Sequence, residues 1–176
     1  MPDASTPVTE LRSAPVPEPG PGDHVRGVHG APFVVEYADF ECPFCAAVHG
    51  RLAALAVRTA FRHFPVRSSH PRAWAAACAA EAAGRQGCFW EMHDALFADQ
   101  GRLDDPHLWS RARTLGLDLD RFEADRRSDE VLDRVRRDFH SGVRAGVVTT
   151  PTLFEFSAGS PQRVDPDVFA QRLSPR

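Results

Sequence analysis

The sequence has no lysine, no isoleucine and no asparagine, and all 21 of its basic residues are arginine. Those three residues lack GC-rich codons, so the gaps report a genome's base composition and carry no chemistry. Cysteine is sparse as well. Four in 176 residues are too few for a disulfide-built scaffold, and a chain of this length buries a core without such staples. Neither charge sign dominates: the net charge is -3, which leaves no electrostatic footprint for nucleic acid or an anionic membrane. No apolar run approaches the roughly 20 residues of a membrane helix, so no membrane insertion is expected. The first thirty residues contain no charged-then-apolar segment of the signal-peptide kind. A cytoplasmic protein is the resulting expectation.

Proline is concentrated at the start, at positions 2, 7, 15, 17, 19 and 21. A stretch this poor in large apolar residues cannot offset its ordering entropy, so 1–22 is expected to be a flexible arm. Residues 23–174 read as one domain. Phe33-Val34-Val35-Glu36-Tyr37 is a β-branched and aromatic run expected as a buried strand. Helical spacing follows over 43–57 and a second strand over 58–64. Strand, helix, strand in about thirty residues is a βαβ unit with a parallel pair and a right-handed crossover. Helices are then expected over 72–83, over 88–98, from the Asp105-Pro106 start to Gly116, and from a Ser128 cap to about residue 145. A strand over 152–156, a further short strand and a closing helix over 167–173 complete the chain. The fold class is α/β, with an all-helical insertion over about 66–145 between two halves of a sheet.

The chemistry-bearing motif is Cys42-Pro43-Phe44-Cys45, placed where the first strand gives way to the first helix. Two sulfurs at this spacing on a helix N-terminus can pair or separate with little backbone change. The free amides and the positive end of the helix dipole favour a thiolate on the first sulfur. Pro43 suits the first helical position, which has no hydrogen bond to lose. Cys42 is therefore the expected nucleophile and Cys45, one turn inward, the resolving thiol of an exchange through a mixed disulfide. Cys45 with His49 is only a fragment of a zinc pattern. No second CxxC follows, and His63 and His70 complete no standard spacing, so no metal is expected. Nor does the chemistry require an organic cofactor.

Two further features bear on this motif. Glu36 lies inside a strand covered on both faces, where a carboxylate is costly unless it is paired or functional. Beneath the sulfurs it could accept and return the Cys45 proton; a glutamate on a solvated strand face is the plain alternative. Thr149-Thr150-Pro151-Thr152 enters the late strand with a candidate cis bond at Pro151, leaving backbone free to pair with an extended substrate.

Together these segments resemble the DsbA-like thiol-disulfide oxidoreductases of the thioredoxin fold. The resemblance covers about 23–173 and rests on Ala31 to Cys45 (APFVVEYADFECPFC), Phe61-Arg62-His63-Phe64-Pro65, Gln86 to His93 (QGCFWEMH) with Leu96-Phe97, and Gly146 to Thr152 (GVVTTPT). It implies that Cys42 attacks, Cys45 resolves, Glu36 is the buried acid, and Pro43, Phe44, Thr150 and Pro151 meet substrate. The partners it implies are substrate proteins or small thiols, plus a redox recycling partner. Two positions depart from the pattern. Phe44 replaces the histidine of strongly oxidising members and donates nothing to a thiolate, and Thr149 stands where many relatives have glycine. The rival readings are a glutathione-dependent transferase or isomerase on the same fold, and a non-catalytic binding or chaperone module.

Away from the motif, the residues read plainly. Cys78 and Cys88 are expected as two separate thiols and His93 as a core histidine. His63 ends the second strand on the edge that carries the motif, and is more simply a core residue than a substrate contact. Arg126, Arg127, Arg134, Arg136 and Arg137 alternate with acids and read as solvated helix faces.

Overall fold

A computed structural model describes residues 13–157 and 160–174. Its elements in chain order are β1 (His24–Arg26), β2 (Phe33–Ala38), α1 (Pro43–Ala53), β3 (Arg58–His63), α2 (Ala73–Gly84) and α3 (Phe89–Ala98). They continue with α4 (Asp105–Thr114), α5 (Leu119–Asp125), α6 (Asp129–Arg144), β4 (Thr152–Phe156), β5 (Gln162–Val164) and α7 (Pro166–Leu173). The sheet order is β1-β3-β2-β4-β5. Strands β2 and β3 are parallel, as the βαβ pattern requires, and the other pairings are antiparallel.

β2 is central, and from Val34 onward it is buried on both faces, which is why apolar residues occupy both parities of the strand, with Glu36 the one exception. One face sends Val35 and Tyr37 into a cluster with Ala60, Phe64 and Phe154. On the opposite face Val34 packs with Val48, Leu52, Leu153 and Phe169, beneath α1 and α7. Glu36 has the same parity as Val34 and so shares that second face.

The inserted helices pack around α2, whose alanine run is buried nearly all round. Within that apolar packing Glu81 ties four elements together. Its Oε1 lies 2.9 Å from His24 Nε2, 2.7 Å from His63 Nε2 and 3.4 Å from Arg134 Nε. Burial works against its ionisation, but the two histidine hydrogen bonds outweigh it and hold the carboxyl well below the usual range.

Several expectations need correction. Helix α1 stops at Ala53 rather than 57, and α4 is capped one residue earlier, with Asp104 at the N-cap. The short β1 and α5 lack a sequence signal strong enough to name them. Arg126 and Arg134 are buried: Arg126 bonds Asp105 and Glu123, and Arg134 bonds Asp138, each charge being tolerated because it is paired. The expected flexible arm, 1–22, is described only from Ser13 and is anchored there. Ala14 N–H donates to the Arg144 carbonyl at 2.8 Å and Val16 is buried beside Tyr37. Arg62, tied to Asp23 at 2.8 Å, also donates to the Glu18 carbonyl at 3.4 Å. One apolar side chain and a buried guanidinium supply what the composition lacks. The rest of the arm, 1–12, lies outside the described residues.

Helix α6 crosses the Tyr37 face at Gly142, where an added Cβ would stand 2.7 Å from Phe64 Cδ2 and 2.9 Å from Tyr37 Cδ1. Tyr37 cannot yield, because its hydroxyl is bonded to Ser141 at 2.9 Å and to Arg62 at 3.1 Å. Gly142→Ala is therefore expected to destabilise by roughly 1–3 kcal/mol through overpacking, despite the gain of about 1 kcal/mol in helix propensity. Urea unfolding of the two proteins measures the difference.

Candidate active site

Cys42 ends the loop after β2 in an extended conformation and serves as the N-cap of α1, with Pro43 beginning the helix. The turn points Phe44 outward, leaving it 72% exposed, and carries Cys45 fully into the core. All four cysteines are free thiols, Cys78 and Cys88 included.

The two sulfurs sit in opposite environments. Cys42 is pulled down to about 5, first by the hydrogen bond from the Cys45 thiol, working against partial burial. The Thr150 side chain and the backbone N–H groups of Cys45 and Phe44 add to that pull. When protonated, Cys42 Sγ can donate to the Thr150 carbonyl at 3.4 Å. Cys45 is pushed far up, first by burial and then by giving its hydrogen bond to Cys42, although Asp39 N–H donates to its sulfur at 3.4 Å. One thiol is thus a thiolate at neutral pH while its neighbour keeps its proton. That asymmetry is what exchange chemistry needs.

Glu36 lies below the pair. Its side chain is 2% exposed, its Oε1 accepts no hydrogen bond from the described residues, and burial pushes it up to about 7 against the pull of Arg26. Its charge raises the Cys45 thiol further, so the two groups are electrostatically in touch. Glu36 opens into a cavity of about 230 Å³ lined also by Arg26, His49, Thr59, Trp90 and His93.

The Thr150–Pro151 peptide is cis and enters β4 beside Cys42. Together with Phe44, Thr149 and the Arg51–Asp167 ion pair it borders an open groove of about 270 Å³. All the residues singled out from the sequence, namely Cys42, Pro43, Phe44, Cys45, Glu36, Thr150 and Pro151, therefore gather at one end of β2.

Other participants had no sequence signal. Asp39, buried after β2, accepts from Glu41 N–H at 2.8 Å, Val66 N–H at 2.7 Å and His70 Nδ1 at 2.8 Å. His70 is raised above its ordinary value: burial opposes this, but Asp39 outweighs it and the Cys42 thiolate adds to the pull. Gln100 donates to the carbonyls of Phe40 and Cys42, both at 2.8 Å, and so clamps the loop from the α3–α4 connection. Only tertiary structure brings these residues from 30 to 60 positions away. His63, by contrast, is buried and pairs through Nε2 with Glu81 at 2.7 Å.

His49, His93 and Asp94 place potential donor atoms within 4.8 Å of one another. The Arg26 guanidinium is already there, 2.8 and 3.0 Å from the Asp94 oxygens and 3.1 Å from His49 Nδ1. The Asp94 carboxylate is thus already neutralised by a fixed cation, which makes the cluster a poor site for a metal ion.

The fold and the cysteine pair at a helix start are an architecture shared with DsbA-like thiol-disulfide oxidoreductases. Residues 20–155 match the family model described as Thioredoxin, and the chain belongs to that family. Among solved structures it is similar to a thioredoxin-like oxidoreductase from Silicibacter pomeroyi, at 26% identity and TM-score 0.73, covering 86% of this chain and 90% of that one. It is also similar to DsbA2 from Pseudomonas aeruginosa, at 27% identity and TM-score 0.66, covering 84% and 88%. Among curated proteins it is 47% identical over 141 residues to Na(+)/H(+) antiporter NhaA 1 of Salinispora arenicola, a match covering 75% of this chain and 21% of the relative. Antiporter NhaA 1 of Mycolicibacterium vanbaalenii gives 44% over 143 residues, covering 75% and 23%. The chain thus spans about a fifth of the length of the curated relatives it matches.

Alkylation of the reduced protein by iodoacetamide is expected to modify Cys42 with a pH midpoint near 5, far below the ordinary thiol value of about 8.5. Mass spectrometry of samples quenched between pH 4 and 9 reads this directly. Glu36 gives a second test. Because its folded value is raised, its ionised form penalises folding: the penalty is absent below about 4.5, grows up to about 7, and is complete above that. Glu36→Gln is expected to stabilise the protein at pH 8 by about 3 kcal/mol, with little change at pH 4. Thermal melts at the two pH values measure it.

Proposed function

We propose that this chain exchanges disulfides of proteins or small thiols through the Cys42–Cys45 pair. The observation that carries the reading is the split between a depressed Cys42 thiol and a raised Cys45 thiol on one helix turn. Cys42 thiolate attacks a substrate disulfide, forming a Cys42–substrate bond and releasing the first substrate thiolate. Cys45 passes its proton to the Glu36 carboxylate and attacks the Cys42 sulfur. The second substrate thiolate leaves, and the enzyme is left with the Cys42–Cys45 disulfide. The reverse sequence oxidises a substrate dithiol. Thr150 and Pro151 offer backbone to an extended substrate beside Cys42, and exposed Phe44 gives it an apolar footing.

Stabilising the Cys42 thiolate favours the dithiol over the disulfide, so the pair holds electrons well and takes them readily. Against a reducing thiol pool such a pair rests as dithiol, and its oxidised form takes electrons from substrate dithiols. Because the named antiporter relatives contain the matched segment within a longer chain, a membrane transporter is a favoured neighbour in this reading.

The test is a pair of variants. Cys42→Ser is expected to lower insulin-disulfide turnover more than about a hundredfold, as loss of a nucleophile does. Cys45→Ser is expected to attack normally and then accumulate a mixed disulfide on Cys42, seen by mass. Full turnover in both variants would overturn the proposal in favour of the binding-module reading.

A further inference from the structure

The cavity beneath the redox pair carries two unsatisfied polar atoms: Glu36 Oε1 and His93 Nε2 are both buried, and neither has a hydrogen-bond partner among the described residues. Both residues line the same space of about 230 Å³, which is polar and large enough for several waters. On its other side the His93 ring places Nδ1 2.8 Å from Asp94 Oδ1, and the Asp94 side chain is half exposed. The ring itself sits among Phe40, Phe61, Phe89 and Phe97, which hold it in one orientation. A histidine caged by phenylalanines, with one nitrogen on a surface carboxylate and the other unpaired beside a buried carboxyl, is more than packing requires.

We propose that His93 carries protons between the Glu36 cavity and the Asp94 surface, so that Cys45 exchanges its proton with solvent through α3 and not through the substrate groove. The inference rests on the dithiol reading above. When Cys45 attacks, its S–H proton passes to Glu36. From Glu36 a proton crosses cavity water to His93 Nε2 while the Nδ1 proton leaves to Asp94 and then to solvent. When Cys45 is the leaving group, a proton follows the same path inward. One complete cycle moves one proton out and one in, which returns the ring to its starting tautomer, and no further redox reagent is required.

The surrounding groups favour this route. Glu36 meets Arg26 from β1, Cys45 and His49 from α1, and His93 from α3. His49 is a poorer carrier because both its nitrogens are engaged: Arg26 Nη2 lies 3.1 Å from Nδ1, and Nε2 lies 3.5 Å from Asp94. Burial holds His93 down to about 3, although Asp94 pulls it upward. Asp94 is lowered to about 2, its burial outweighed by His93 and Arg26. Neither group changes charge between pH 5 and 8, so the route stands ready across the range in which Glu36 titrates.

A conduit changes rates and leaves equilibria alone, and that difference defines the test. His93→Phe, which fits the aromatic cage, and Asp94→Asn, at the half-exposed end, are each converted to the Cys42 mixed disulfide with 2-nitro-5-thiobenzoate. Stopped-flow absorbance then follows thiolate release by Cys45 from pH 5 to 9, and the reverse attack of the free thiolate on the oxidised protein. Both variants are expected to slow the two directions by the same factor, roughly tenfold at pH 7, below the usual span for a directly acting acid or base. The equilibrium constant stays the same, and imidazole restores His93→Phe. Unchanged rates in both variants, or slowing that tracks a shifted equilibrium constant, would overturn the relay alone. Absence of thiolate release in the parent protein would overturn the dithiol reading and the relay with it.

Discussion

A thiolate survives at neutral pH inside a protein only where donors surround it that do not themselves surrender a proton. The N-terminus of α1 meets that condition at Cys42. Backbone N–H groups of Phe44 and Cys45 point at the sulfur, and Cys45, too buried to ionise, acts as a further donor. The arrangement depends on where β2 delivers the chain. Pairing with β3 and β4 fixes Glu36 and Ala38, and the next residue, Asp39, anchors the loop through Val66 and His70. Gln100 closes it from the far side. The helical insertion is thus more than a spacer between the halves of the sheet, since it supplies the clamp on the Cys42 carbonyl and the wall of the cavity beneath.

The fold was legible where the sequence carries period and punctuation. The β2 run, the Pro43 start of α1 and the Ser128 cap of α6 all appear close to where residue chemistry puts them. Short or context-driven elements were not legible. β1 is three residues long and owes its existence to pairing with β3, and α5 is a seven-residue helix with a single Asp118 cap. Helical charge alternation also misled. Arg126 and Arg134 look solvated along the chain, but tertiary packing folds their acidic partners over them.

The site divides along the same line. Cys42, Cys45 and Glu36 stand within ten positions of one another, so strand and helix periodicity suffices to relate them. Asp39, His70 and Gln100 are ordinary polar residues until the fold assembles them, and nothing in their spacing sets them apart. His93 lies between these cases. Its apolar neighbours at helical spacing mark a core residue, which it is, yet the unpaired nitrogen facing Glu36's cavity becomes visible only in three dimensions.

Stabilisation of the Cys42 thiolate is the claim on which the account turns, and the reduction potential of the Cys42–Cys45 pair tests it most directly. The measurement equilibrates the protein in glutathione buffers at pH 7 and counts thiols by alkylation. A Cys42 value near 5 falls between a pair of thioredoxin strength, about -270 mV with a thiol near 7, and a strong oxidant at about -120 mV with a thiol near 3.5. The account predicts a midpoint of roughly -190 mV, with the dithiol favoured over the disulfide by comparison with thioredoxin. A midpoint at or below about -270 mV would contradict it, as would failure of the disulfide to form anywhere in the range.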